Sequence, residues 1–258
     1  MAGSVVIAPS DSPFTVGDEV YARTNYYRTG TAQEYATAPT EELALRPKRL
    51  TWAESATVPM SAETAWQALF VNAGLKPEAG AGAKGKRVFV TAASGGVGTW
   101  VVQLARWAGA EVIGTCGSDN VEWVKSLGAS EVIDYKNTDV KEWATSDESR
   151  KADIVIDCIG RKSLEDAWWV VKDGGVLISI FQPPEEVKPV GFAGKDIMNL
   201  FFIMESNGTQ LTEITKLIDG GSFVPALDSV FSLEKFEEAF AKLESGKTRG
   251  KVVLDMGA

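Results

Sequence analysis

The stretch KRVFVTAASGGVGTWVVQLARWAGAEVIGTC, residues 86–116, holds an apolar run, a glycine-rich turn, a helical pattern and a second apolar run. Together these describe one βαβ unit of the kind that holds a dinucleotide. Val88, Phe89 and Val90 form a β-branched and aromatic strand. Ala93, Gly95 and Gly98 then fall on the three glycine positions of G-x-G-x-x-G, with alanine in the first. Gly95 lets the backbone approach a pyrophosphate, and Gly98 removes a side chain where the helix must lie close on the strand. The free N–H groups at the start of that helix, with the positive end of its dipole, face the phosphates. Val97, Val101, Leu104, Ala105 and Ala108 recur at helical spacing, Gly109 stops the helix, and a buried strand over Glu111 to Cys116 follows.

Outward from this unit the alternation continues. Helices are predicted over Asn120 to Leu127, closed by Gly128, around Val140 to Trp143, and over Leu164 to Val171, ended by Gly174 and Gly175. Strands are predicted at Glu131 to Asp134, Ile154 to Cys158 and Val176 to Ile180. Strands alternating with helices imply a doubly wound parallel sheet covered on both faces, an α/β fold. Asp157, Ile159 and Gly160, and then Ile180 and Phe181, fall at the carboxyl ends of strands, where an open α/β sheet binds ligands. Trp168 and Trp169 sit in an apolar helix stripe and read as packing residues.

Composition narrows the class. With 258 residues, 45% hydrophobic and 24% charged, the chain can bury a sizeable core in one or two domains. A formal charge of −9 opposes a phosphate backbone, so nucleic acid is excluded as a partner. No apolar run is long enough to span a bilayer and no basic-then-apolar leader precedes Pro9, which gives a cytoplasmic expectation with no membrane partner. There is no histidine, and the two cysteines, Cys116 and Cys158, end predicted buried strands, so a metal site and histidine-based catalysis are both disfavoured. The cysteines read as small core residues of a reducing compartment.

The flanks differ in character. Residues 1–60 carry short β-like runs, Ser4 to Ala8 and Glu19 to Ala22, with a turn at Gly17 and Asp18, and look like part of an all-β unit. From Ser232 the pattern gives a helix with Leu233, Phe236, Phe240 and Leu243 on one face, then a strand over Val252 to Leu254. Asn207-Gly208-Thr209 fits a glycosylation sequon and is assigned to a turn.

GDEVYA at 17–22, TAWQAL at 64–69, AASGGVG at 92–98, VKSLGASEVIDY at 124–135, DIVIDCIG at 153–160 and LESGKTRGKVVL at 243–254 resemble the medium-chain dehydrogenase/reductase superfamily. Within it they are similar to the zinc-independent quinone oxidoreductase and enoyl reductase branch. The resemblance implies a Rossmann domain, here 63–223, inserted into a GroES-like β-barrel domain, here 1–62 with 224–258. It also implies NADPH delivering hydride to an enone, enoyl or quinone substrate. The chain starts at what resembles a later barrel strand, so the barrel is expected to be incomplete. Its uncovered apolar edge then favours a homo-oligomer. Two other functions stay open: a relative that has lost reductase activity and serves as a binding module, and a reshaped cleft carrying out a non-redox step on a polyketide-like substrate.

The resemblance carries over residue by residue for the cofactor. Ser94, Gly95, Gly96, Val97 and Gly98 resemble the pyrophosphate turn, and Thr64 resembles a residue close to the nicotinamide half. Ile180 and Phe181 look like the strand-end pair beside the nicotinamide, with Ile159 at the neighbouring strand end. Phe202 looks like a cleft residue, and Gly250 with Lys251 like a C-terminal contact. No catalytic residue is assigned. Thr115 and Cys116, not a carboxylate, end the second strand, so a 2′-phosphate fits beside Gly117, Ser118 and Tyr135 and NADPH is favoured, with NADH as the alternative. Asp119 opposes a phosphate there, and Lys136 or Lys125 offsets it.

Overall fold

The computed structural model describes residues 1–257. In chain order the elements are β1 (Ala2–Ser4), β2 (Glu19–Tyr21), β3 (Ala44–Leu45), α1 (Trp52–Trp66), β4 (Arg87–Val90), α2 (Gly96–Trp107), β5 (Glu111–Cys116), α3 (Val121–Ser126) and β6 (Glu131–Asp134). Then come α4 (Val140–Thr145), β7 (Ala152–Asp157), α5 (Arg161–Val170), β8 (Val171–Ser179), β9 (Met198–Phe201), α6 (Gly208–Asp219), β10 (Leu227–Ser232), α7 (Phe236–Glu244) and β11 (Lys251–Asp255). The chain divides into two compact units, Met1–Thr64 with Met204–Ala258, and Ala65–Ile203.

The second unit is built on a six-stranded sheet in the order β6-β5-β4-β7-β8-β9, every neighbouring pair parallel. This is the doubly wound arrangement, whose order reverses between β4 and β7. Its strands are nearly continuous apolar runs because both faces are covered. Phe89, Ile113, Val155 and Leu177 pack with Trp143 of α4 and Leu164 and Trp168 of α5 in one buried cluster. Trp168 is a packing residue with its indole N–H donated to the Pro184 carbonyl at 3.1 Å, and Trp169 stacks edge-on against Phe192. Gly98 sits where the strand-to-helix turn closes on itself. A Cβ there would lie 2.1 Å from the Ala92 carbonyl oxygen.

The first unit contains the three-stranded antiparallel sheet β1-β2-β3 and the parallel pair β10-β11 joined through α7. Tyr21, fully buried, donates its hydroxyl to the Leu211 carbonyl of α6 at 3.2 Å and pairs with the Thr215 hydroxyl at 2.6 Å. Gly208 backs directly onto the Leu43 carbonyl. These contacts place α6 in this unit, whereas the sequence pattern puts 208–219 on the dinucleotide-binding side of a boundary at 223.

Several elements differ from expectation, each for a local reason. The strand expected over Ser4 to Ala8 is Ala2–Ser4, because Val5 donates its amide to Asp18 and accepts from Gly17, which ends the ladder. Gly174 and Gly175 do not stop α5. That helix ends at Val170, and the β-branched Val171 begins β8 at once. The two glycines lie inside the strand, where Gly174 takes φ 70° and the register against β7 shifts, as in a β-bulge. Asn207 caps α6, its side chain accepting the Gln210 amide at 3.0 Å, instead of making a turn. In the tail, Phe236, Phe240 and Leu243 are each about half exposed on α7.

Candidate functional site

The carboxyl ends of the parallel strands gather most of the residues singled out by sequence. Beyond β4, Ala92 takes a left-handed conformation at φ 49°, the Gly95 amide donates to the Ala92 carbonyl at 2.8 Å, and Gly95 becomes the N-cap of α2. Gly95 has no side chain to cap with, so the first amides of a twelve-residue helix are left for another acceptor. Ser94, Gly96 and Val97 are half-buried in this turn. A Cβ on Gly95 would stand 3.2 Å from the Ala92 oxygen.

At the ends of β5 and β6 the chain forms a polar corner. Thr115 is buried and its hydroxyl accepts the Ala92 amide at 3.3 Å, so it holds the glycine turn from behind. Ser118 and Asp119 are exposed beyond Gly117. The Ser118 hydroxyl donates to Asp134 at 2.6 Å, and Asp134 also accepts the Lys136 amide and the Asn137 side chain at 3.0 and 2.6 Å. These donors, Ser118 first, hold the Asp134 carboxyl below the usual range. Lys136 and Tyr135 converge on Gly117: a Cβ there would lie 3.5 Å from the lysine Nζ and 3.7 Å from the tyrosine Oη. Lys136 is thus the cation of this corner.

At the ends of β7, β8 and β9 the surface turns apolar. Ile159 and Phe181 are 46% and 49% exposed. Ile180 donates its amide to the Asp157 carbonyl at 3.0 Å, and Phe202, half-buried, donates to the Ser179 carbonyl at 3.3 Å. Sequence reasoning placed Asp157 at this edge but missed its role. The side chain is fully buried and gathers donors from three strand ends. The visible signal is a carboxylate closing the apolar run Ile154-Val155-Ile156.

Thr64, Gly250 and Lys251 belong to the other unit. The Thr64 hydroxyl is donated to the Met60 carbonyl at 2.6 Å within α1, and Gly250 lies against the Ala226 carbonyl, with the Lys251 amide donated to that same oxygen at 2.9 Å. One residue before Thr64, Glu63 is completely buried. Its Oε1 accepts the Asn207 amide at 2.8 Å, while Oε2 has no hydrogen-bond partner among the described residues. Burial pushes this carboxyl up to about 8, against the Asn207 amide and the Arg23 charge, which pull it down. No sequence pattern announces this group.

At the amino-terminal edge of the sheet a polar concavity of about 540 Å³ is lined by Lys86, Arg87, Arg106, Glu111, Lys151 and Asp153. Its main charges are paired, Arg87 with Glu111 at 2.9 Å and Lys86 with Asp153 at 3.3 Å. Ligands of open α/β sheets bind at the other edge.

A six-stranded parallel sheet with an uncapped helix amino end at its switch point defines a dinucleotide-binding unit of the Rossmann class. Residues 127–254 match the zinc-binding dehydrogenase family. The chain is 55% identical over 257 residues to a protein of Arthroderma benhamiae named "Probable zinc-binding oxidoreductase, mitochondrial", covering 98% of this chain and 77% of that one. It is 34% identical to the chloroplast envelope quinone oxidoreductase homolog of Arabidopsis thaliana, over 99% of this chain and 78% of that protein. Among solved structures, an NAD-dependent alcohol dehydrogenase superposes with a TM-score of 0.83 at 28% identity, covering 99% of this chain and 81% of that one. The chain belongs to the zinc-binding dehydrogenase family of the medium-chain dehydrogenase/reductase superfamily, among its quinone-oxidoreductase-like members, and is an oxidoreductase.

The cytoplasmic expectation is corrected by these relatives, which are named as mitochondrial and chloroplast proteins. No helix among the described residues is long and apolar enough to cross a membrane. The family's name invokes zinc, yet no group of three His, Cys, Asp or Glu among the described residues stands close enough to hold a metal ion. Cys116 and Cys158 are free thiols, and burial raises both, Cys116 to about 11. This donor set does not fit zinc.

Proposed function

We propose that the chain is an NADPH-dependent, zinc-independent reductase of small molecules with an activated double bond, an enone or enoyl group, or of quinones. The observation that carries this reading is the carboxyl edge of the sheet. There a lysine-bearing polar corner after β5 and β6, an uncapped helix amino end after β4 and an apolar shelf after β7 and β8 succeed one another across the sheet in the order of adenosine ribose, pyrophosphate and nicotinamide.

Ser94 through Gly98 would hold the pyrophosphate. Lys136, Tyr135 and Ser118 would meet a 2′-phosphate, which Asp119 and Asp134 oppose by their charge. Ile159, Ile180, Phe181 and Phe202 would bound the nicotinamide and keep water from it. When bound, the dihydronicotinamide supplies a hydride. The chain's contribution is alignment of donor with acceptor in a dry, apolar setting. With no histidine in the chain, a Tyr, Lys, Asp or Glu side chain or water is left to supply the proton that completes reduction. β9 forms the free edge of the sheet and suits pairing of two copies.

Steady-state oxidation of NADPH with small enones and quinones tests this directly. Turnover with at least one of these acceptors is expected, with a modest preference for NADPH over NADH. Lys136→Ala is expected to raise the NADPH KM on the order of tenfold and to leave the NADH KM unchanged, since it removes one charge-assisted contact. Asp119→Lys should shift the preference the other way. Equal effects of Lys136→Ala on both cofactors contradict the assignment of the corner to the 2′-phosphate.

A further inference from the structure

Asp157 is a buried carboxylate at the end of an otherwise apolar strand, and such a group is retained at a cost unless its donors are all in place. They are. Its Oδ1 accepts the Thr91 hydroxyl from the end of β4 at 3.0 Å. Its Oδ2 accepts the Gly160 amide at 2.7 Å, the Ile159 amide at 3.3 Å and the Ser179 hydroxyl, from the end of β8, at 3.3 Å. The network branches on both sides. Thr91 accepts the Cys158 amide at 2.9 Å, and Ser179 accepts the amides of Phe181 and Gln182 at 3.1 and 3.4 Å.

The first of these two turns runs through the left-handed region, with strain at Arg161. Gly160 takes φ 75°, and Arg161, a residue with a side chain, takes φ 52°. Both conformations serve one aromatic ring. A Cβ on Gly160 would lie 2.1 Å from Cδ1 of Phe181, so the ring occupies the space a side chain would fill. The Arg161 guanidinium lies 5.6 Å from the centroid of that ring, and its amide donates to the Gln182 side chain at 2.9 Å. Hydrogen bonds, a missing side chain and a cation thus hold a ring that itself remains half exposed. Rigid presentation of exposed apolar groups is what a binding shelf requires and what core packing does not.

We propose that Asp157 is a positioning residue: it clamps the turns at 158–161 and 179–182 into one shelf that aligns the nicotinamide ring through Ile159 and Phe181. The proposal rests on the cofactor assignment above and deepens it, because the clamp joins the turns at 158–161 and 179–182, apart from the corner at Gly117 and Lys136 assigned to the adenosine ribose.

The test compares the full chain with Asp157→Asn and Ser179→Ala, titrating each with NADPH and with 2′,5′-ADP, which carries only the adenosine end. Binding of 2′,5′-ADP is expected to stay within about twofold of wild type in both variants, while NADPH affinity falls on the order of tenfold, the worth of one or two buried hydrogen bonds. Single-turnover hydride transfer at saturating NADPH is expected to fall further, about a hundredfold in Asp157→Asn, because alignment suffers beyond affinity. Should Asp157→Asn fail to fold, Ser179→Ala decides, since it removes one bridge and leaves the carboxylate its other donors. If wild type binds NADPH and the variants lose both ligands in parallel, or neither, the clamp assignment is overturned. If wild type binds neither ligand, the cofactor reading itself fails and the proposal with it.

Discussion

Gly98→Ala is expected to destabilise the sheet-bearing unit by about 3 kcal/mol and to abolish dinucleotide binding. The added Cβ would lie 2.1 Å from the Ala92 carbonyl oxygen, and 2.8 Å from both the Ala92 carbonyl carbon and the Ala93 Cα. All three atoms are backbone, so no side chain can swing aside. α2 would have to move off the end of β4, carrying its first amides away from the position in which they face a pyrophosphate. Gly95→Ala is the control. Its Cβ meets the same oxygen at 3.2 Å and Gly95 has φ −82°, so a shift of a few tenths of an ångström accommodates it. The expected cost is below about 1 kcal/mol. Thermal unfolding checks both, and a Gly98→Ala protein as stable as wild type would mean the turn is looser than described.

The second large effect concerns pH. Glu63 is protonated up to about 8 in the folded chain, against an ordinary 4.5. The folded state therefore holds a proton that the unfolded state has released between those two values. Stability from this group is fully present below about pH 4.5 and is lost as pH rises towards 8, at up to about 1.4 kcal/mol per pH unit. Glu63→Gln keeps an acceptor for the Asn207 amide and has no proton to lose. Chemical denaturation at pH 5 and pH 8 is expected to show wild type weakening relative to Glu63→Gln as pH rises. Identical pH dependence in both proteins would place the Glu63 carboxylate in contact with water.

How much of this was legible depended on whether a feature is local. The strands Glu111–Cys116 and Glu131–Asp134 match their sequence patterns residue for residue, since a strand buried on both faces is an uninterrupted apolar run bounded by turns. The glycine turn was equally plain, because its three small positions answer to a single steric need. Glycines elsewhere were ambiguous. Gly174 and Gly175 suit a helix stop and a β-bulge alike, and only the pairing with β7 decides between them. The edge strand β9 enters the apolar run Leu200 to Met204 only at its end, and its residues are exposed or half-buried, so its bounds are not marked in the sequence.

At the site, backbone cradles could be read and hydroxyl partners could not. Thr64 and Thr115 both stand where a ligand contact was expected, yet Met60 and the Ala92 amide, respectively, engage their oxygens. Glu63 was out of reach for the same reason, and Asp157 was legible as a strand-end carboxylate but not in its partners. Their importance lies in which distant strand ends or loops surround them, and spacing along one segment carries no trace of that.

The central claim is that the amino end of α2 binds the pyrophosphate of NADPH. Calorimetric titration of wild type and Gly96→Asp with NADPH tests it most directly, because the added carboxylate stands at the first residue of the helix and repels an anion there. Wild type is expected to bind with micromolar affinity, about −8 kcal/mol, and the variant to show no measurable heat. Unaltered binding in Gly96→Asp would contradict the account.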